Sequence, residues 1–415
     1  MAKDVQARHR WSPSFRALLG AQVSATFGDG IRQFAFPALA ATLTRDPVLV
    51  GGLTFALLLP WLLFSLHAGA VADRVDRRAL LVWMSAARAL LLLLLAATVV
   101  TGTVSMPLMY AVAFTVGVTH VVFATTAQAV VPATVKREQL EPANARIASA
   151  EIVGNEFAGP LIGGALFAVA MVAPFLAIAA LALLGTWAAL RMRGDFKPSR
   201  DPSEDGQSLA QNIGVGLRWL IRHEVLRVVA LAAALAALVD TAAFAILVLY
   251  AGDILGVGAT GFAVLLAIAG VGGITGSLLS GRVARGARTR PVMLIALALL
   301  AAGQLGLAVA DAFLVAAVAL FAAGLGYGLW GVVSLTLRQR LAPDALLARA
   351  GAGHRLLALG CSAFGALLGG VVARLYGLRA TYALGALLLA VTCAAVGVLL
   401  TSARLAAAEA AADTR

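Results

Sequence analysis

Apolar blocks of about twenty residues recur along the whole chain, and this spacing restricts its fold more than any single motif does. A helix of about twenty residues is roughly 30 Å long, which matches the hydrocarbon core of a bilayer. Twelve spans can be placed, near 15–41, 48–72, 79–101, 105–131, 143–167, 172–190, 225–252, 260–281, 291–310, 312–337, 350–373 and 378–402. Runs such as Ala89 to Ala97 and Leu294 to Ala302 lack the period-two alternation of a membrane barrel strand. Helices then satisfy the backbone in lipid. Composition agrees: 61% of the 415 residues are hydrophobic and 13% are charged, where soluble domains carry about 25% charged residues. A soluble protein this apolar could not cover its surface with polar groups. The expected fold class is an all-α membrane protein of twelve transmembrane helices.

A net charge of +12 would suggest nucleic acid in a soluble chain. Its placement argues against that partner and for a lipid bilayer. The 29 Arg and 3 Lys sit mainly in short segments between apolar blocks, with no separate basic tail. The N-terminus and every second loop hold 26 of them. The opposite loops hold Arg45, Arg374 and Arg379, while Arg32, Arg88 and Arg355 fall inside spans. The positive-inside rule therefore puts both termini in the cytoplasm, as an even span count also requires. The polar, basic N-terminus leads into an apolar block too long for a cleaved signal. Cys361 and Cys393 lie within apolar blocks and read as packed thiols, with neither disulfide nor metal-ligand spacing. No G-x4-G-K-[ST] sequence supports ATP-driven work, and no Ser/His/Asp or HExxH arrangement supports catalysis, so neither an enzyme nor a cofactor is expected.

The longest hydrophilic stretch, 191–224, separates two stretches of six spans, 1–190 and 225–415. Its first part, Lys197 to Gly206, reads as a solvated linker. Its second part places Leu209, Ile213, Leu217 and Leu220 on one helical face beside Arg218 and Arg222. That pattern suits a helix lying in the membrane interface, with a loose loop as the alternative. The two stretches repeat one another. Gly69-Ala-Val-Ala-Asp73-Arg74-Val75-Asp76-Arg77 is answered 208 positions on by Ser277-Leu-Leu-Ser-Gly281-Arg282-Val283-Ala284-Arg285. Gly159-Pro160-Leu-Ile-Gly163-Gly164 is answered 206 positions on by Gly365-Ala366-Leu-Leu-Gly369-Gly370. Two matches near half the chain length indicate a six-plus-six duplication, the plan of many transporters.

These residues resemble the major facilitator superfamily, and the resemblance covers nearly the whole chain. Gly69-x3-Asp73-Arg74-x2-Arg77-Arg78 is similar to its loop signature, G-x3-D-R/K-x-G-R-R/K. Gly159-Pro160-x2-Gly163-Gly164 resembles the span-five motif of drug:proton antiporters. Gln128 to Pro132, Leu140 to Asn144 and Gly159-Pro160 look like the macrolide-efflux and enterobactin-exporter members. Two departures stand out: Asp76 occupies a glycine position of the signature, and the fourth span carries His120 and Gln128 where the antiporter motif has a buried arginine. The resemblance implies two pseudo-symmetric six-helix bundles and a cytoplasmic gate at Gly69, Asp73, Arg74, Arg77 and Arg78. Charge pairs there can form in one arrangement and break in another; topology anchoring is the simpler role. Gly159-Pro160 removes a helix hydrogen bond and bends span five, either as a packing kink or as part of antiport.

Charged groups inside spans are costly, by about 2.5–3.5 kcal/mol on insertion scales, so they face a cavity or a partner. Span one carries Gln22, Thr26, Asp29 and Gln33 on one face, with Arg32 three residues from Asp29. Asp29 is thus a protonatable or cation-binding group, or half of a structural pair with Arg32. Span five carries Asn144, Glu151 and Asn155 along one stripe, with Glu156 about 100° further round. A carboxylate desolvated without a cation favours its acid form and suits proton pickup and release; hydrogen bonding to a neighbour is the alternative. Asp240 in span seven is a weaker candidate, and His354 and Arg355 sit near the cytoplasmic end of span eleven. The coupling or cavity residues are therefore expected among Asp29, Arg32, Gln33, Glu151, Asn155, Glu156 and Asp240. The expected function is efflux of amphipathic small molecules, driven by protons, by a monomer in a bacterial inner membrane. A polar-nutrient importer and a non-transporting receptor or scaffold are the rivals.

Overall fold

The computed structural model describes residues 11–197, 209–283 and 289–413, which are almost wholly helical and include no strand. The helices are α1 (Pro13–Leu43), α2 (Pro47–Ala72), α3 (Arg77–Val100) and α4 (Met106–Thr134). Next, α5 (Leu140–Glu151) passes through a π-helical segment, Ile152–Ala158, into α6 (Gly159–Val169), and α7 (Ala173–Leu190) follows. The remainder comprises α8 (Leu209–Arg222), α9 (Glu224–Asp253), α10 (Ala259–Val283), α11 (Thr289–Val309), α12 (Phe313–Leu341), α13 (Asp344–Tyr376), α14 (Leu378–Leu399) and α15 (Ser402–Asp413).

Short polar residues set several helix starts. The Asp46 carboxylate accepts from Val48 N at 2.9 Å, and that of Asp76 accepts from Arg78 N at 2.8 Å, each satisfying a donor that the first turn leaves open. Asp76, the departure from the loop signature, is therefore the N-cap of α3. Between α13 and α14 the chain turns on Gly377 alone, at φ +91°, where a side chain would be strained.

Among the described residues, eleven helical stretches are long and apolar enough to cross a bilayer, α5, the π segment and α6 counting as one. The exception among the twelve expected spans is α1. It is 31 residues long, but the polar stripe at Gln22, Asp29, Arg32 and Gln33 sets it apart on composition.

Contacts gather the chain into two units, one of Met1–Ala35, Leu63–Val104 and Thr115–Pro202, the other of Phe36–Leu62, Ser105–Phe114 and Ser203–Arg415. The repeat divides the sequence near 190–225, whereas packing groups the first ends of α2 and α4 with the later residues. The first unit has a core around Phe15, Leu18, Leu81, Phe123, Val130 and Ala189. The second has one around Leu226, Val229, Met293, Leu297, Trp330 and Leu389.

Lipid is as apolar as leucine, so helices in a membrane gain from close contact at small residues. Each unit does this at the repeated glycines. A Cβ on Gly159 would lie 2.5 Å from Gly30 Cα, and one on Gly163 would lie 3.1 Å from Ile31 O and 3.2 Å from Phe34 Cβ. In the second unit a Cβ on Gly365 would lie 2.2 Å from Leu238 O, and one on Gly369 would lie 2.5 Å from Ala242 O. The glycines are 206 positions apart and their partners 208, so the duplicated sequence makes duplicated contacts.

The amphipathic segment forms α8. Leu220 is buried in the second core, and Gly216 lies so close to Arg349 that a Cβ there would come 2.1 Å from its carbonyl oxygen. This face packs on α13. Linker residues 198–208, and Ala284-Arg285 of the repeated loop, lie outside the described residues.

Candidate functional site

The polar face of α1 lies against α3, α4 and the π segment of the first unit. Its centre is Asp29, 6% exposed. Arg32 Nε donates to Asp29 Oδ1 at 3.2 Å, and Arg88 Nη1 from α3 reaches the same oxygen at 3.4 Å. His120 Nδ1 from α4 lies 3.0 Å from Asp29 Oδ2. The expected Asp29–Arg32 pair exists, but it belongs to a four-residue cluster. Arg88 is 4% exposed, so Asp29 supplies the negative charge that a guanidinium buried among apolar helices needs. A single arginine amid the leucines of span three was the available signal. Neither its partner nor the part played by His120 could be read from positions 59 and 91 residues away from Asp29.

His120 Nδ1 also lies 3.2 Å from Arg88 Nη2. One ring nitrogen cannot serve both neighbours. With a hydrogen it donates to Asp29; without one it accepts from Arg88. The site thus offers two hydrogen-bonding arrangements selected by where the imidazole carries its proton. Glu151, at the end of α5, lies within electrostatic reach of His120. With two guanidinium groups and two carboxylates, these neighbours balance when the ring is neutral.

The π segment explains the rest of the geometry. Pro160 has no N–H, and the preceding turn widens so that Gly159 N donates to Gly154 O, five residues back. Gly30 of α1 packs against this widened turn; a Cβ there would lie 2.1 Å from Gly154 O. Asn155 is thereby brought to α1, where its Oδ1 accepts from Gln33 Nε2 at 2.7 Å. Gly159, Pro160, Gly163 and Gly164 are all buried. Glu151 and Glu156 both keep solvent-accessible surface on the first unit. Glu156 has the Asn155 side chain as a hydrogen-bond partner, which offsets part of the penalty for a carboxylate within a span. Asp240 belongs to the second unit, half-buried on α9.

The loop signature forms a knot of arginine contacts to helix C-termini. Arg77 Nη2 lies 3.4 Å from Asp73 Oδ1, while its Nε and Nη1 donate to Ala72 O and Ala129 O at 3.2 and 3.3 Å. Arg78 donates to Leu190 O at the end of α7. Arginine at the negative end of a helix dipole is favourable, so these residues tie α2, α4 and α7 together. Asp73 is 69% exposed in its side chain, and Gly69 and Arg74 lie on the same stretch. Among the described residues, no group of three or more His, Cys, Asp and Glu side chains is arranged to hold a metal ion.

A model of the family described as transmembrane secretion effector matches residues 10–414. Two curated relatives, each an uncharacterized MFS-type transporter, one of Mycobacterium bovis and one of Mycobacterium tuberculosis, are 33% identical over 147 residues. That match covers 34% of this chain and about a third, 32%, of each relative's length. Solved structures share the fold at low identity. The nucleoside transporter NupG matches with TM-score 0.71 and 13% identity over 93% of this chain and 98% of that one. A bacterial homolog of the human lysosomal transporter Spinster gives 0.72 and 14%, over 93% and 96%. A bacterial homologue of the iron transporter ferroportin gives 0.69 and 15%, over 93% and 98%. The helical architecture and a family match spanning nearly every residue agree, and the chain belongs to the transmembrane secretion effector family of major facilitator superfamily transporters, which are membrane proteins and not enzymes.

Proposed function

We propose that this transporter exports amphipathic small molecules by alternating access, in exchange for protons. It acts as a monomer in a bacterial inner membrane with both termini in the cytoplasm, and its bundles are the repeated stretches 1–190 and 225–415. The observation that carries the proton part is His120 Nδ1, which lies 3.0 Å from Asp29 and 3.2 Å from Arg88 and cannot bond to both. A proton arriving through Glu151 or Glu156 would give the ring an Nδ1–H, strengthen its bond to Asp29 and release Arg88. Spans built mostly of alanine, leucine and valine favour an apolar cargo. The family's description as a secretion effector favours the outward direction.

Alternating access also needs contacts that open in turn. Gly69, Asp73, Arg74, Arg77 and Arg78 would form the cytoplasmic gate, with Asp73 exposed enough to change partners. Arg45–Asp253 at 3.1 Å and Asp46–Arg374 at 3.4 Å, both within the second unit, would act at the opposite ends of the spans. Exposed pairs of this kind contribute about 0–1 kcal/mol each, weak enough to break during turnover.

Purified protein in liposomes, given a pH gradient and a panel of amphipathic and polar solutes, tests this directly. Proton flux is expected to accompany export of an amphipathic solute. His120→Gln should retain solute binding but lose at least tenfold in proton-driven export, and the Glu151→Gln/Glu156→Gln double variant should behave alike. Full coupling in both variants would remove these groups from the mechanism. Import of polar nutrients is the second possibility, supported by the Gln33–Asn155 bond and by a fold shared with a nucleoside transporter; polar-solute uptake in the same assay would favour it.

A further inference from the structure

A second polar site lies in the other unit, between α12 and α13. There a cavity of about 340 Å³ is lined by Leu335, Arg338 and Gln339 of α12 and by residues of α13 including His354, Arg355 and Leu359. The volume is in the range of small-molecule pockets, about 300–1,000 Å³. The lining positions are three or four apart on each helix, so each contributes one continuous face. The basic side chains of Arg338, His354 and Arg355 point to one space, with the amide of Gln339 beside them, and none of the residues lining the cavity is acidic.

The guanidinium groups of Arg338 and Arg355 lie within electrostatic reach of one another, and the His354 imidazole within reach of both. Among the described residues none of the three side chains has a hydrogen-bond or ion-pair partner. This contrasts with Arg32, Arg45, Arg77, Arg88, Arg374 and Arg379, each of which meets an aspartate. Converging positive charges beside apolar walls repel, and an oxyanion between them offsets that repulsion while accepting forked hydrogen bonds from both guanidinium groups. Leu335, Leu347, Ala358 and Leu359 then provide an apolar surface for the remainder of the ligand. Basic pockets between membrane helices are known to suit acidic headgroups.

We propose that the cavity bounded by Arg338, His354 and Arg355 binds the phosphate or carboxylate group of an acidic amphiphile. The chemistry is shared by an acidic phospholipid headgroup and by a soluble amphipathic anion. It does not depend on the direction of transport or on proton coupling.

The test uses the full-length protein in a neutral detergent, with thermal unfolding read as ligand is added. The probes are dioctanoyl phosphatidylglycerol, dioctanoyl phosphatidylcholine and octyl phosphate. Expected is a rise in midpoint with the two anions and none with phosphatidylcholine. The affinity for the anions should fall at least tenfold in Arg338→Gln/Arg355→Gln and be largely retained in Arg338→Lys/Arg355→Lys. Arg404→Gln, at an exposed position far along the sequence on α15, should bind as the wild type does. If the glutamine variant does not fold, the wild-type protein still decides: binding should weaken between about 0.05 and 0.5 M salt, because an ion contact at an open pocket is screened. Tighter binding of phosphatidylglycerol than of octyl phosphate identifies a lipid site, and the reverse order a site for a soluble anion. Equal response to phosphatidylcholine, wild-type affinity in the glutamine variant, or salt-independent binding would overturn the proposal.

Discussion

Asp29 shows what a single buried carboxylate is asked to do. Two guanidinium groups and an imidazole converge on its two oxygens, and the more deeply buried guanidinium, Arg88, has 4% of its surface exposed. Removing one partner of such a group leaves an uncompensated charge, a loss of about 3–5 kcal/mol. Asp29→Asn is therefore expected to lower the unfolding midpoint sharply in detergent. Adding Arg88→Leu should recover part of that loss, because the charge left without a partner goes with it. A double variant no more stable than Asp29→Asn alone would mean that Arg88 is not held by Asp29. Span one advertised its polar face through the spacing of Gln22, Thr26, Asp29 and Gln33, and the short-range Arg32 contact was legible there. Arg88 and His120 reach Asp29 only because two other helices pack beside it, and no local spacing encodes that.

At the scale of the element, Pro160 and Gly30 together make the widened turn of span five. The proline prevents a regular hydrogen bond, and the glycine lets α1 approach the carbonyl that the turn displaces. A methyl group at position 30 would lie 2.1 Å from Gly154 O, and one at 365 would lie 2.2 Å from Leu238 O. Both Gly30→Ala and Gly365→Ala are expected to destabilise by about 1–3 kcal/mol through overpacking. Only Gly30→Ala should also impair transport, since it separates Asn155 from Gln33. Unfolding midpoints and liposome transport, measured on both, decide this; transport lost equally in the two would make the π turn a packing feature only. Sequence located the glycine-proline motif and its repeat. That the accommodation would be a π turn, with Asn155 turned towards α1, depended on the opposing helix.

At the scale of the whole molecule, the charge asymmetry of the loops predicts orientation. In a variant with Cys361 and Cys393 replaced by alanine, Ser203→Cys should resist an impermeant thiol reagent in intact cells and react once the membrane is opened. Labelling from outside would reverse the topology. The arginines on the sparse side make a second point. Arg45, Arg374 and Arg379 each meet an aspartate, at Asp253, Asp46 and Asp311. A gate role for the first pair predicts that Arg45→Asp slows transport and that adding Asp253→Arg restores most of it, with expression unchanged. If the swapped protein stays as slow as the single variant, the pair is incidental.

Block length, loop charge and the 206–208-residue repeat determined the class of fold without any tertiary information, because the bilayer dictates span length and backbone satisfaction. They also fixed which residues had to be polar exceptions. Only the tertiary structure decided how those exceptions combine: Asp29 with Arg88 and His120, and Arg338 with His354 and Arg355. It also drew 36–62 and 105–114 into the second unit. The physical reason is the range of the forces involved. Partition into lipid acts on each segment separately and is written along the chain, whereas hydrogen bonds and ion pairs act over a few ångströms between side chains that only helix packing brings together.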